Sequence, residues 1–298
     1  MTIPGSGRRR AEGVALGFAA AILWSFYNVG TAIGRADGFS SADLAMLRFG
    51  TAALLLAPVL LLRSGWRDAL PLRRILALTV VIGPPFAFFI NTGYGIAPLA
   101  HAVVISPGLT MLVANALATF IDGRSMPLPR RTGMSLLAVG LVAIAAEQPS
   151  AAPSGLPVWL GDLCFVASGS LWGIFTWLVG RWNLPAIETT AAVSASAALC
   201  LLPIYLVGFG ISSLPLTLWV EQVVYQGLLG GALAIVAYAG CVTRLGAGTA
   251  ALFPALLPPM AVLLAVPLAG QAPSLMQWLG VALATAGLSV SLDIMRRR

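Results

Sequence analysis

The sequence predicts an all-α integral membrane protein of ten transmembrane helices, arranged as two inverted five-helix repeats. Three observations carry that expectation. Hydrophobic residues make up 59% of the 298-residue chain and charged residues only 9%, where a soluble domain carries about a quarter charged residues. The apolar runs are long and continuous rather than alternating with period two. Arginines gather on one side of those runs, and the second half of the chain repeats features of the first at a shift of 147 residues.

A helical span needs about 20 apolar residues. The first, 13–33, follows Arg8, Arg9 and Arg10; it is too long for a signal-peptide core and lacks a cleavage end, so it is expected to be retained. The second, 42–62, carries Arg48 inside it, and the third, 75–96, carries Pro84 and Pro85. A tight turn bearing His101, the sole histidine, leads to the fourth, 100–120, which contains Pro107. The fifth, 131–146, is short. The sixth to eighth run 158–179, 188–207 and 219–242; the ninth, 248–267, holds Pro254, Pro258 and Pro259; and the tenth is 275–294. No connecting segment is long enough for a soluble domain. Cys164, Cys200 and Cys241 lie far apart in apolar segments and read as small buried hydrophobes.

With a cytoplasmic N-terminus, one side holds Arg8–Arg10, Arg63, Arg67, Arg73, Arg74, Arg124, Arg130, Arg131, Arg181, Arg244 and Arg296–Arg298, and the other holds Arg35 alone. This bias places both termini inside and supports the span count. It also accounts for the net charge of +7 without nucleic acid, because the basic residues sit in short loops and at the ends. All 17 basic residues are arginine, which with the alanine and leucine excess suggests a GC-rich bacterial genome and a bacterial inner membrane.

Under the shift, Pro107 falls on Pro254, Gly123 on Gly270, Gly133 on Gly280, Gly140 on Gly287 and Leu141 on Leu288. Residues 1–147 and 148–298 are therefore expected to be two five-span repeats. An odd number of spans inverts the second repeat. Inverted repeats place a substrate site at their interface near the midplane.

Trp24, Tyr27, Asn28 and Thr31 are spaced i, i+3, i+4, i+7 and share one helix face. Asparagine in hydrocarbon is costly unless bonded or wet. This face therefore lines a cavity or bonds a neighbouring helix. The sixth span offers a partial counterpart in Trp172, Phe175 and Thr176. Asn91 and Tyr94 share a face of the third span, and the shift sets Asn91 opposite Tyr238. Arg48 costs several kcal/mol in a span unless paired or hydrated; it reads equally as a structural group or as the partner of a substrate carboxylate. Pro84, Pro85, Pro107, Pro254, Pro258 and Pro259 free backbone carbonyls and mark hinges or fixed kinks. His101 reads as a polar cap or a proton relay. Gly13/Gly17, Gly30/Gly34, Gly169/Gly173 and Gly227/Gly231 are GxxxG pairs suited to close helix packing.

The segments LWSFYNVGTAIGR (23–35), MLRFGTAALLL (46–56), SPGLTMLVANALATFIDGR (106–124) and FPALLPPMAVLLAVPLAGQ (253–271) resemble the drug/metabolite transporter superfamily, in particular its EamA-type exporters. The resemblance covers 12–294 and extends to the YddG-type exporters of aromatic and other neutral amino acids. It implies a secondary transporter working by alternating access, with no cofactor and no metal. The family's Gly-Glu pair is replaced here by Asp122-Gly123-Arg124 and Gly270-Gln271, so no role rests on that glutamate. The expected partners are a small-molecule substrate, an amino acid or similar metabolite, and the lipid bilayer; monomer or dimer stays open. Export of other metabolites or of cationic drugs is the alternative within this class, and a noncatalytic scaffold or receptor lies outside it. An enzyme is not expected: the chain has one histidine, no HExxH, no GxSxG and no intramembrane aspartate pair.

Overall fold

The structure, a computed structural model, describes residues 6–97, 99–145, 156–209, 211–260 and 274–293. It is all helical over these residues. In chain order the elements are α1 (Ser6–Ala36), α2 (Ser41–Leu62), the short α3 (Trp66–Ala69), α4 (Leu72–Ile82), α5 (Pro84–Ile96), α6 (Leu99–Phe120) and α7 (Leu128–Ala145). They continue with α8 (Val158–Arg181), α9 (Ala186–Ile204), α10 (Leu216–Gln222), α11 (Ala234–Leu245), α12 (Ala247–Ala250) and α13 (Leu275–Asp293). Tyr205–Phe209 extends α9 and Val223–Leu233 joins α10 to α11, both with π-helical bonding.

Local chemistry sets the boundaries. Ser40 and Asp43 form a reciprocal capping box at the start of α2. The Asp43 carboxylate also accepts from Tyr205 Oη and Ser212 Oγ, each at 2.5 Å, which ties α2 to the end of α9. Gly83 ends α4, and Pro84 opens α5 at the position where a missing N–H costs nothing. The Pro84–Pro85 pair thus breaks the third predicted span in two. Pro107 lies within α6, Pro254 opens a 3-10 turn at Pro254–Leu256, and Pro258 and Pro259 lie buried in the helical turn 257–260.

The polarity is that of a membrane protein. Leu54, Leu61, Leu62, Val80 and Val207 are exposed, while Asn28, Thr31, Asp43, Arg48, Asn91, Gln222 and Gln226 are buried. An exposed apolar shell of that kind is stable in lipid. Among the described residues, six helices are long and apolar enough to cross a bilayer: Gly7–Ala36, Ser41–Leu62, Leu72–Ile96, Val158–Arg181, Ala186–Gly208 and Leu216–Leu245. Against the ten spans expected from sequence, the fourth, ninth and tenth contain the shorter apolar helices Val104–Phe120, Ala247–Met260 and Trp278–Ser291, and the fifth is α7. Residues 146, 261–267 and 294 of the predicted fifth, ninth and tenth spans lie outside the described residues.

Long-range pairings join the two halves of the chain. Helix α1 packs on α11, α2 on α9, α5 and α6 on α8, and α7 on α13. The last pair has the geometry of an inverted repeat. A Cβ on Gly287 would stand 2.6 Å from the Gly133 carbonyl oxygen, and one on Gly140 would stand 2.7 Å from the Gly280 carbonyl oxygen. Since the shift maps Gly133 to Gly280 and Gly140 to Gly287, each contact is the image of the other. The GxxxG residues act the same way elsewhere: Gly169 and Gly173 seat α6 on α8 through Ser106, Leu109 and Val113, and Gly13 and Gly17 receive Leu245 and Phe253.

Candidate functional site

Between these helices lies a cavity. Helix α1 contributes Trp24, Tyr27 and Asn28, one turn apart on the stripe that the sequence spacing predicted. Helix α2 adds Arg48; α5 adds Phe86, Ile90 and Tyr94; α6 adds Ala102, Ser106, Pro107 and Thr110. The second half supplies Trp172 from α8, with Pro254 and Leu257. Among the described residues the lining is rich in aromatic side chains and carries one cation and no carboxylate.

Arg48 dominates the electrostatics. Its Nη1 donates to Tyr27 Oη at 3.0 Å, and its guanidinium carbon lies 5.0 Å from the Tyr27 and Phe86 ring centroids and 5.6 Å from that of Trp172. Each such contact is worth up to about 2 kcal/mol when desolvated. The Nε and Nη2 donors are buried and bond to nothing among the described residues. Among the described residues no acid pairs with Arg48: Asp43, five residues earlier, is taken up by Ser40, Tyr205 and Ser212. Two buried donors on a cation without a counterion are a large unmet demand for an anion.

Opposite this cation sits a neutral polar pair, with Tyr94 Oη donating to Asn28 Oδ1 at 2.6 Å. On the α8 side, Thr110 Oγ1 donates to the Ser106 and Gly169 carbonyls at 3.0 and 3.2 Å. Both tryptophans line the cavity, their indoles in edge-to-face contact.

The structure brings together Trp24, Tyr27, Asn28, Arg48, Tyr94 and Trp172 of the sequence-predicted binding residues, with Pro107 and Pro254 of the predicted kinks. Three candidates stand behind this lining. Phe175 packs on Trp172 at 5.7 Å, and Tyr238 packs on Trp24 at 5.0 Å with its hydroxyl 2.9 Å from Thr176 Oγ1. Asn91 turns to α2, donating to the Ser41 carbonyl at 3.3 Å, with its Oδ1 buried and unbonded. The fourth stripe residue, Thr31, serves helix packing: its hydroxyl accepts from Gln226 Nε2 at 3.0 Å, and Gln222 Nε2 donates to the Gly30 carbonyl at 2.9 Å. His101 pairs with Asp162 at 2.8 Å across the starts of α6 and α8; it is not among the lining residues, although its neighbour Ala102 is.

Sequence reasoning missed Phe86, Ser106 and Thr110. Ser106 and Thr110 are spaced i, i+4 with Pro107 between them, a stripe that the kink motif overshadowed. Gln222 and Gln226 show the same spacing in the eighth span.

Residues 159–292 match the model of the EamA-like transporter family. An EamA-type domain of the drug/metabolite transporter superfamily is therefore present, and such a domain belongs to a transporter, not to an enzyme. Most of the cavity lining lies outside the matched stretch, in the first half of the chain. No curated protein sequence matches the chain. A solved crystal structure, described in no more specific terms than that of a protein, superposes with a TM-score of 0.73 over 97% of this chain and 99% of the other at 20% identity. That likeness shows the fold.

Proposed function

We propose that the chain exports small neutral metabolites, most concretely aromatic and other neutral amino acids, as a YddG-type secondary transporter of the bacterial inner membrane. In this reading residues 1–147 and 148–298 are inverted five-span repeats, ten crossings in all, with both termini cytoplasmic. The substrate occupies the cavity between them, and rocking of the repeats exposes it alternately to the two sides.

The observation that carries the proposal is Arg48, a buried guanidinium with two idle donors in an aromatic cavity that holds no acid. A guanidinium fork of that kind matches a carboxylate. The aromatic walls of Trp24, Phe86 and Trp172 suit an apolar or aromatic side chain. The Asn28 amide and the Tyr94 hydroxyl would meet the amino group once their mutual bond exchanges for bonds to substrate. An unpaired arginine in the lining disfavours cationic drugs, which Coulomb repulsion would exclude.

Counterflow of labelled phenylalanine, leucine and threonine into proteoliposomes tests the reading. Accumulation of at least one is expected. No uptake of any amino acid by protein shown to be folded would sink the reading.

A further inference from the structure

A second cavity lies at the other end of α6, where the α6–α7 turn meets the α11–α12 turn. We propose that it binds a phosphate group, the headgroup phosphate of an anionic phospholipid.

Its wall includes Asn115, Arg124, Arg130, Gly248 and Thr249, with no aspartate or glutamate. Arg130 points two donors, Nε and Nη2, into surroundings where they are shut off from solvent and bond to nothing among the described residues. Asp122, the nearest acid in sequence, is committed elsewhere: it accepts from Trp177 Nε1 at 2.9 Å and pairs with Arg181. Gly248 makes the approach possible, because a Cβ there would stand 2.5 Å from Arg130 Nη2 and 2.7 Å from Asn115 Oδ1. The Asn115 amide holds that turn in place by donating to the Gly248 carbonyl at 3.2 Å.

Arg130 also occupies the first turn of α7, where the helix dipole opposes a cation. Two arginines and a helix N-terminus therefore add positive potential at one point without internal compensation. An anion offering several oxygens to planar guanidinium forks answers that demand. The flank identifies the source. Phe120, Ile121 and Leu128, on either side of the turn in sequence, are 86%, 52% and 69% exposed. Apolar side chains beside a basic pocket at a helix end fit a phospholipid, whose acyl chains cover the first and whose phosphate enters the second. A headgroup there would bridge the two halves of the chain, α6 and α7 from one and the Leu245–Gly248 turn from the other. Under the topology proposed above, the leaflet is the cytoplasmic one; the site itself does not depend on that assignment.

The test is native mass spectrometry of the purified full chain with phosphatidylglycerol or phosphatidylcholine, beside a thermal-shift titration with inorganic phosphate. Phosphatidylglycerol adducts are expected to outlast phosphatidylcholine adducts. Arg130→Gln should weaken them about tenfold, a loss of about 1.4 kcal/mol. Arg124→Gln, on an exposed side chain, should weaken them severalfold and keeps the test decisive if Arg130→Gln does not fold. Arg131→Gln, which lies outside the cavity with Nε on the Met126 carbonyl, should leave them unchanged. Equal retention of both lipids, equal loss in all three variants, or binding of free phosphate without lipid would each overturn the proposal. Because no transport is measured, this result stands or falls apart from the amino acid reading.

Discussion

The Trp24 and Trp172 indoles meet edge-on, with centroids 4.9 Å apart and planes at 85°. Tyr238 backs both rings and Phe86 lies 5.1 Å from Trp172, so no substrate fits between the two tryptophans in this conformation. Both belong to the cavity wall. An edge-to-face pair contributes about 0.5–1.5 kcal/mol beyond its buried area, weak enough to part and re-form during a transport cycle. Trp172 also roofs Arg48. We expect Trp172→Phe to keep transport, and Trp172→Ala to lower phenylalanine counterflow about tenfold and threonine counterflow less. An equal loss for both substrates would place Trp172 outside substrate contact. A large truncation also costs about 3–5 kcal/mol of core stability, so the rates must be scaled to folded protein.

Arg48 permits a sharper separation of binding from folding. Removing one partner of a buried ion pair is strongly destabilising, whereas replacing an unpaired buried charge by an apolar group is neutral or favourable. Among the described residues Arg48 has no acidic partner, and its Nη1 donates to Tyr27 Oη. Arg48→Met should therefore abolish counterflow while the melting temperature holds or rises. Arg48→Lys should not restore transport, since a point charge does not reproduce the planar fork. A collapse of the melting temperature in Arg48→Met would assign Arg48 to holding Tyr27 instead.

These contrasts show what was legible in sequence. Membrane class, helix positions and the α1 stripe follow from periodicity, because a helix exposes faces at fixed angles. The role of each residue on a stripe does not. Trp24, Tyr27 and Asn28 reach the cavity, while Thr31, one turn further, bonds Gln226 of another helix. Cavity lining and interhelical bonding, alternatives at the sequence level, thus occur on the same face. Arg48 was ambiguous because the absence of a counterion is a property of every helix packed around it. Asn91 and Tyr94 share a face by spacing, yet Tyr94 lines the cavity and bonds Asn28 of α1, while Asn91 bonds the Ser41 carbonyl of α2.

The Asn28–Tyr94 bond is the next point to probe. At 2.6 Å it holds the amide with its oxygen turned towards Tyr94. Tyr94→Phe removes the donor and leaves Asn28 Oδ1 without it, at a cost of about 1–3 kcal/mol for a buried acceptor. We expect the half-saturating substrate concentration in counterflow to rise severalfold, with the maximal rate nearly unchanged. Asn28→Ala should raise it at least as much. A normal concentration dependence in both variants would remove the pair from the site.

The seam between α7 and α13 tests the architecture without reference to substrate. At Gly140 a Cβ would lie 2.7 Å from both the Ala284 nitrogen and the Gly280 carbonyl oxygen. Both are backbone atoms and cannot rotate away, so any side chain must push the helices apart. Overpacking costs about 1–3 kcal/mol where side chains can yield; here the whole helix must move. Gly140→Leu should therefore lower the melting temperature sharply, and Gly287→Leu, whose Cβ would stand 2.5 Å from the Leu137 nitrogen, should do the same from the other helix. Gly108 in α6, where an added Cβ meets nothing within 4 Å, is the control. Gly108→Ala should leave stability level or raise it by about 0.5–1 kcal/mol, the usual gain of alanine over glycine inside a helix. If Gly140→Leu melts like the parent while Gly108→Ala does not, the two helices do not pack through this seam, and the inverted pairing of the halves loses its clearest contact.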